Sequence, residues 1–280
     1  MSIIIVSSDS DRVAQEMAQS VAETLDYELV NRGILGDVAK KYQIPEERFI
    51  QALDERPSRF RMPSKLWYRH LSYIQEATLG QLLRDNIVCQ GLAAHLYALG
   101  ISHILRVRIL TDPVKSIQQV AIDSGGATRK ARKFVDQEKK SRQRWSMDAF
   151  KIDETDPSHY DLVISMSNID PEEAVKIMRE TISYRRFKPM TYSKKCIQDL
   201  ELASRVRAAL IARFSDVRVR ANAGKLVIEI TILGRHKQKK AKLIKEIAGN
   251  IPGVQFVEVH IIKDILRHAA RELSLKLLFE

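Results

Sequence analysis

An apolar run, Ile3 to Val6, enters the polar stretch SSDSDR and leaves it as a segment with Val13, Met17, Val21 and Leu25 at helical spacing. Strand, turn and helix in that order form a place where backbone amides and a helix N-terminus hold phosphate. Such a loop uses glycines, which let the backbone approach the anion closely, together with a lysine and a magnesium-binding hydroxyl. This turn contains neither glycine nor lysine. Its chemistry rests on the hydroxyls of Ser7, Ser8 and Ser10, which can cap the helix or donate hydrogen bonds. Asp9 and Asp11 put negative charge where an anion would sit, an opposition of up to several kcal/mol when poorly screened, and Arg12 offsets part of it.

A second stretch, Arg129 to Arg144, holds eight lysines and arginines against Asp136 and Glu138. A basic arm closing over phosphates would have this composition, because phosphoryl transfer depends on positioning and on cations that neutralise developing charge. Arg132, Lys139, Arg142 and Arg144 are its candidate contacts, and the alternative is an ordinary solvated helix. Elsewhere the chemistry is bland. The seven histidines are scattered without ligand spacing, and the two cysteines, Cys89 and Cys196, make neither a disulfide framework nor a metal cluster, so no metal is expected. His95 and His103 read as a helix-end or core pair with no triad partners. Asp156, Tyr160 and Asp161 read as turn residues, and Trp67 and Trp145 as packing anchors.

At 280 residues and 45% hydrophobic, the chain can bury a large core and form roughly two domains of about 150 residues. A net charge of +11 implies affinity for something acidic, whether phosphate, nucleic acid or anionic lipid. No apolar run approaches the roughly 20 residues of a membrane span, and the start MSIII lacks the basic region and cleavage site of a signal peptide, so the expected compartment is the cytoplasm.

Short apolar runs alternate with amphipathic segments from the start to residue 182. Strands are expected at Ile3 to Val6, Leu29-Val30, NIVCQG, HILRVRIL and YDLVIS, with helices between them. This is the pattern of an α/β fold with a parallel sheet covered on both faces. Residues 183–196, SYRRFKPMTYSKKC, break every apolar period and read as a basic linker. Residues 197–263 read as a small α+β domain of order αββαβ, and 264–280 as a C-terminal helix able to dock on its own domain or on a second subunit.

The landmarks III, LDYELVNRGIL, IVCQGLAAHL, LRVRILTDPVKSIQQV, VDQEKKSRQRW and DPSHYDLVISMSNIDPEEAVKIM stand in the order and spacing of the cytidylate kinase-like family of P-loop nucleoside monophosphate kinases, which residues 2–182 resemble. The resemblance aligns Asp11, Val13 and Ala14 with loop glycines. It places Leu92, after Gly91, where relatives carry a phosphate-holding arginine, and Asn31 where they tend to carry aspartate. DLELASRVRAALI, NAGKLVIEITILG and IAGNIPGVQFVEVHI resemble the BON domain, whose members have envelope or interaction roles. These resemblances imply a kinase-like protein with a degenerate site and a regulatory or partner-binding role. One alternative is an active kinase using ATP and magnesium with an atypical loop. Another is a module for anionic membranes, or less favourably nucleic acid, acting through the linker and Arg235, Lys237, Lys239, Lys240, Lys242 and Lys245.

Overall fold

The computed structural model describes residues 2–123, 125–231 and 237–262. The chain divides into two compact units, residues 1–201 and 202–280. In chain order the first holds β1 (Ile3–Ser8), α1 (Asp11–Leu25), β2 (Glu28–Val30), α2 (Leu35–Tyr42), α3 (Glu46–Asp54), α4 (Ser64–Leu82), β3 (Ile87–Gln90) and α5 (Ala94–Tyr97). It continues with β4 (Ile104–Leu110), α6 (Pro113–Asp123), α7 (Thr128–Phe150), β5 (Leu162–Ser165) and α8 (Pro171–Ser183). The five strands pair in parallel in the order β2-β3-β1-β4-β5.

The central position of β1 explains its sequence. Ile3, Ile4, Ile5 and Val6 are all buried, because a parallel strand covered on both faces has no wet side for polar residues. On one face Met17, Ala18 and Val21 of α1 join Ala174, Met178 and Ile182 of α8 in a core with Ile4, Val6, Leu105 and Val107. α8 starts at Pro171 behind a capping box in which Asp170 and Glu173 satisfy each other's amides. The carboxyl ends of β1, β3 and β4 share one edge, where a parallel sheet places its functional residues.

Two sequence expectations need correction here. Residues 183–196 are not an irregular linker. Arg185–Phe187 form a 3₁₀ turn, and α9 (Thr191–Ile211) begins inside the stretch and runs across the division at residue 201. Phe187 is buried with the first unit's core and its carbonyl accepts a hydrogen bond from Ser2 Oγ at 3.1 Å. One aromatic anchor among many cations carries too little periodicity to be seen. The helix expected between the strands NIVCQG and HILRVRIL shrinks to the four residues of α5, because Gly91, Leu92 and Ala93 all adopt left-handed backbone.

In the second unit β6 (Arg218–Asn222) and β7 (Lys225–Thr231) form an antiparallel hairpin, α10 (Lys237–Gly249) follows, and β8 (Phe256–Ile262) pairs in parallel with β7. Leu226, Ile228 and Ile230 of β7 and Ile244 and Ala248 of α10 are buried. The helix expected at 264–280 and Arg235 lie outside the described residues. Ala223 and Gly224 turn the hairpin with φ of 48° and 79°, the left-handed pair a two-residue loop demands. A Cβ on Gly224 would stand 2.9 Å from the Gly253 carbonyl oxygen. Gly224→Ala is therefore expected to cost roughly 2 kcal/mol or more in urea unfolding; a cost near zero would mean that the turn relaxes freely.

Candidate functional site at the carboxyl edge of the sheet

β1 ends at Ser8 and α1 starts at Asp11, so only Asp9 and Ser10 lie between them. Ser10 caps the helix: its Oγ accepts the Val13 amide at 3.5 Å and its carbonyl accepts the Ala14 amide at 3.0 Å. None of residues 7–14 has positive φ. With side chains at Asp11, Val13 and Ala14, nothing disfavours helix there, and α1 winds back through all three positions as its first turn. The Ser10 amide donates to Ser8 Oγ at 3.1 Å, and Ser8 Oγ donates to Asp9 at 3.3 Å. Asp9 accepts the Thr111 amide at 3.0 Å and so ties this turn to the end of β4.

Arg12 does not offset the acidic turn. It points along the exposed face of α1 to Glu16, at 2.9 Å. The cation that does so is Arg32, just after β2, which donates to both Asp54 oxygens at 2.7 and 3.0 Å and to Asp11 at 3.2 Å. Its side chain also lies against Gly91, within 4 Å of where a Cβ would be. Asn31 is used locally: its Oδ1 accepts the Gly33 amide at 2.9 Å and caps the turn Arg32–Ile34. Gly91, Leu92 and Ala93 have φ of 71°, 58° and 58°. Left-handed backbone at Leu92 and Ala93 costs about 1–2 kcal/mol each and persists only where the surroundings enforce it. Leu92 is 1% exposed, so its side chain supports the fold and offers nothing to an anion.

Behind this edge lies a buried polar network that sequence reasoning missed. Arg108 of β4 donates from Nη1 to Ser7 Oγ at 3.1 Å and to the Tyr160 hydroxyl at 3.2 Å. The Tyr160 hydroxyl in turn donates to the Glu154 carbonyl at 2.7 Å. The Glu154 side chain, almost wholly buried, accepts two 2.8 Å bonds from Arg142, whose Nη1 also donates to the Leu53 carbonyl at 2.9 Å. Burial pushes the Glu154 carboxyl up, but His95 and Arg142 overcome it and hold the group down at about 2. His95 Nε2 stands off at 3.5 Å, so the closer guanidinium is the principal partner. Burial lowers the pKa of His95 against the pull of Glu154, leaving a neutral imidazole at neutral pH.

Asp161, expected as a turn residue, instead accepts from the Arg106 amide and guanidinium at 3.1 Å and clamps β4 to the start of β5. Asp156 does shape its turn, accepting the Ser158 amide at 2.8 Å. Trp67 and Trp145 are packing anchors, as their surroundings in the sequence suggest. The four arm candidates separate: Arg132, Lys139 and Arg144 are exposed on α7, whereas Arg142 is committed to Glu154. Among the described residues no three His, Cys, Asp or Glu side chains converge as a metal site, and burial pushes the Cys89 thiol up to about 12, which leaves it inert.

A parallel five-stranded sheet flanked by helices, with a strand-turn-helix unit at its carboxyl edge, makes the first unit a layered α/β fold. The family model for the cytidylate kinase-like family matches residues 3–168, more than half of the chain, and the chain belongs to that family. Among solved structures, an uncharacterized protein from Eubacterium ventriosum matches at 17% identity and a TM-score of 0.48, covering 66% of this chain and 100% of its own. Shikimate kinase from Bacteroides thetaiotaomicron matches at 10% identity and a TM-score of 0.42, over 65% of this chain and 99% of its own. Dephospho-CoA kinase from Campylobacter jejuni matches at 12% and 0.34, over 64% and 96%. No curated protein matches the chain.

Proposed function

We propose that this member of the cytidylate kinase-like family has given up phosphotransfer and uses the fold as a regulatory or partner-binding scaffold. One observation carries the reading: the cation beside the turn after β1 is already paired with the chain's own carboxylates. Asp11 sits in the first turn of α1, paired with an Arg32 that is also held by Asp54, and the helix has absorbed the positions where loop glycines would be. A triphosphate entering here would meet the Asp11 carboxylate and find the neighbouring guanidinium occupied. The commitment of Arg142 to Glu154 supports the same reading, because it removes one cation from any arm that closes over phosphates. Were a nucleotide and magnesium to bind, Ser8, Ser10 and Arg32 are the groups nearest the turn to receive them.

The second unit enters this proposal as a BON-like contact domain. Its helix, hairpin, helix and final strand, in the sheet order β6-β7-β8, support that assignment. It offers the scaffold a second surface for a protein or anionic partner. Calorimetric titration of the full chain with magnesium-ATP and then with CMP is expected to give no binding heat into the millimolar range, a weakness of about 4 kcal/mol of binding free energy at most. Micromolar ATP affinity, or phosphate transfer to CMP, would overturn the reading.

A further inference from the structure

Phe60 is 98% exposed, the most exposed large hydrophobic side chain among the described residues. Its loop is nevertheless well held. Ser58 and Met62 exchange two backbone hydrogen bonds of 2.9 and 3.1 Å across the tip, and the Met62 side chain is buried at the base. Pro57 and Pro63 flank the loop, Arg56 donates to Asp148 of α7 at 2.6 Å, and Arg61 pairs with Glu55 at 3.3 Å. A fixed loop that presents a phenyl ring to water is built to meet something, since burying the ring elsewhere would have favoured the fold. Directly beside it a cleft of about 440 Å³, lined by Arg59, Ser64 and Lys65 among others, opens at the start of α4. Residues 56–65 contain four cations and no acidic residue.

We propose that this loop is a peripheral membrane contact: Phe60 enters the interfacial layer of an anionic bilayer while Arg59 and Lys65 hold lipid phosphates at the cleft. The shape selects this partner. A protein hot spot is packed within a ring of neighbouring contacts that exclude water, whereas Phe60 stands at the tip with Met62 buried at the base and four cations among residues 56–65. Single-stranded nucleic acid asks for successive aromatic platforms along a basic groove, and the loop has a single ring at a convex tip. A bilayer accepts a lone ring without a preformed cavity and surrounds it with phosphates. Among the described residues no helix is long and apolar enough to cross a membrane.

The test uses the full chain carrying Phe60→Trp, read as a difference from the wild type, whose Trp67 and Trp145 are buried. With vesicles of phosphatidylglycerol and phosphatidylcholine, the new emission is expected to shift to the blue and to be quenched by brominated acyl chains. Phe60→Ser, and separately Arg59→Glu with Lys65→Glu, are expected to lower vesicle partitioning roughly tenfold or more in sedimentation, with an unchanged melting temperature. Raised salt is expected to weaken binding further. Emission that stays unchanged with anionic vesicles overturns the proposal, even if the protein sediments with them through another surface. Equal binding to pure phosphatidylcholine, or a shift produced by RNA or an acidic protein and not by vesicles, overturns it as well.

Discussion

Arg142→Met is expected to destabilise the first unit by about 3–5 kcal/mol, because it strips a buried carboxylate of its principal partner. Glu154 is 3% exposed, and its two oxygens each receive a 2.8 Å bond from this guanidinium. Without Arg142 the carboxyl keeps only His95, 3.5 Å away and neutral at neutral pH, so it must stay charged and poorly solvated or take up a proton. The pH dependence separates this from simple loss of packing. In the wild type the carboxyl sits at about 2, below its ordinary 4.5, so its contribution is fully present above pH 4.5 and is lost as pH falls from there through about 2. In the variant burial dominates and the carboxyl rises above its ordinary value, so the sign inverts and the variant gains relative stability as pH falls. Urea unfolding at neutral pH and near pH 3 checks both statements: the gap between the proteins is large in the first and smaller in the second. A gap below about 1 kcal/mol that does not change with pH would mean that the pair behaves as an exposed salt bridge. Arg142→Lys should fall between, since lysine keeps the charge but not the planar fork.

This pair also marks where sequence reading stopped. The strands were legible because burial on both faces of a parallel sheet leaves continuous apolar runs such as Ile3 to Val6 and Ile87 to Cys89. That the turn after β1 carries no glycine was legible too, since a missing glycine is visible one residue at a time. The ion pairs beside that turn were not. Asp11, Arg32 and Asp54 come together over 43 positions of chain, and nothing local to any one of them announces the others. Arg142 lay in a run of cations where it looked like its neighbours, and its partner Glu154 lay in KIDETD, where it looked like a turn residue. Only Arg106 and Arg108 carried a signal: two arginines alternating with apolar residues in a strand that is otherwise buried imply partners inside the protein. Those partners are Asp161 for the first and Ser7 with Tyr160 for the second. Phe60 had the opposite fault. An aromatic between arginines was readable, but its full exposure depends on the bridge between Ser58 and Met62, which appears only in three dimensions.

Trp145→Ala is expected to cost about 3–5 kcal/mol and to act chiefly on α7. The ring is 1% exposed, its Nε1 donates to the Ala52 carbonyl at 2.9 Å, and it meets Trp67 edge to face at 6.3 Å and Phe150 at 5.7 Å. Trp67 Nε1 donates to the same carbonyl, so the two indoles share one acceptor at the end of α3. In the 23 residues of α7 only Ala131, Trp145 and Ser146 are buried, so Trp145 is the one large side chain of the helix that is fully buried, beside the contacts that Arg142 makes to Glu154 and Leu53 and Phe150 makes to Tyr97. Its removal leaves a cavity at the C-terminal end of α7 and frees the basic half from Arg129 to Lys140 to detach. Hydrogen exchange is therefore expected to rise through residues 128–144 while the amides of β1 and β4 keep their protection. Exchange that rises equally in the sheet would assign Trp145 to the common core instead. The Arg142 guanidinium lies 4.3 Å from the Trp145 ring centroid, so the two substitutions share a contact. Arg142→Met combined with Trp145→Ala should cost less than the sum of the two, because once the indole is gone the end of α7 that carries Arg142 no longer holds it against Glu154. Strict additivity would mean that each residue anchors α7 independently, and the placement of the basic arm would then not depend on the buried pair.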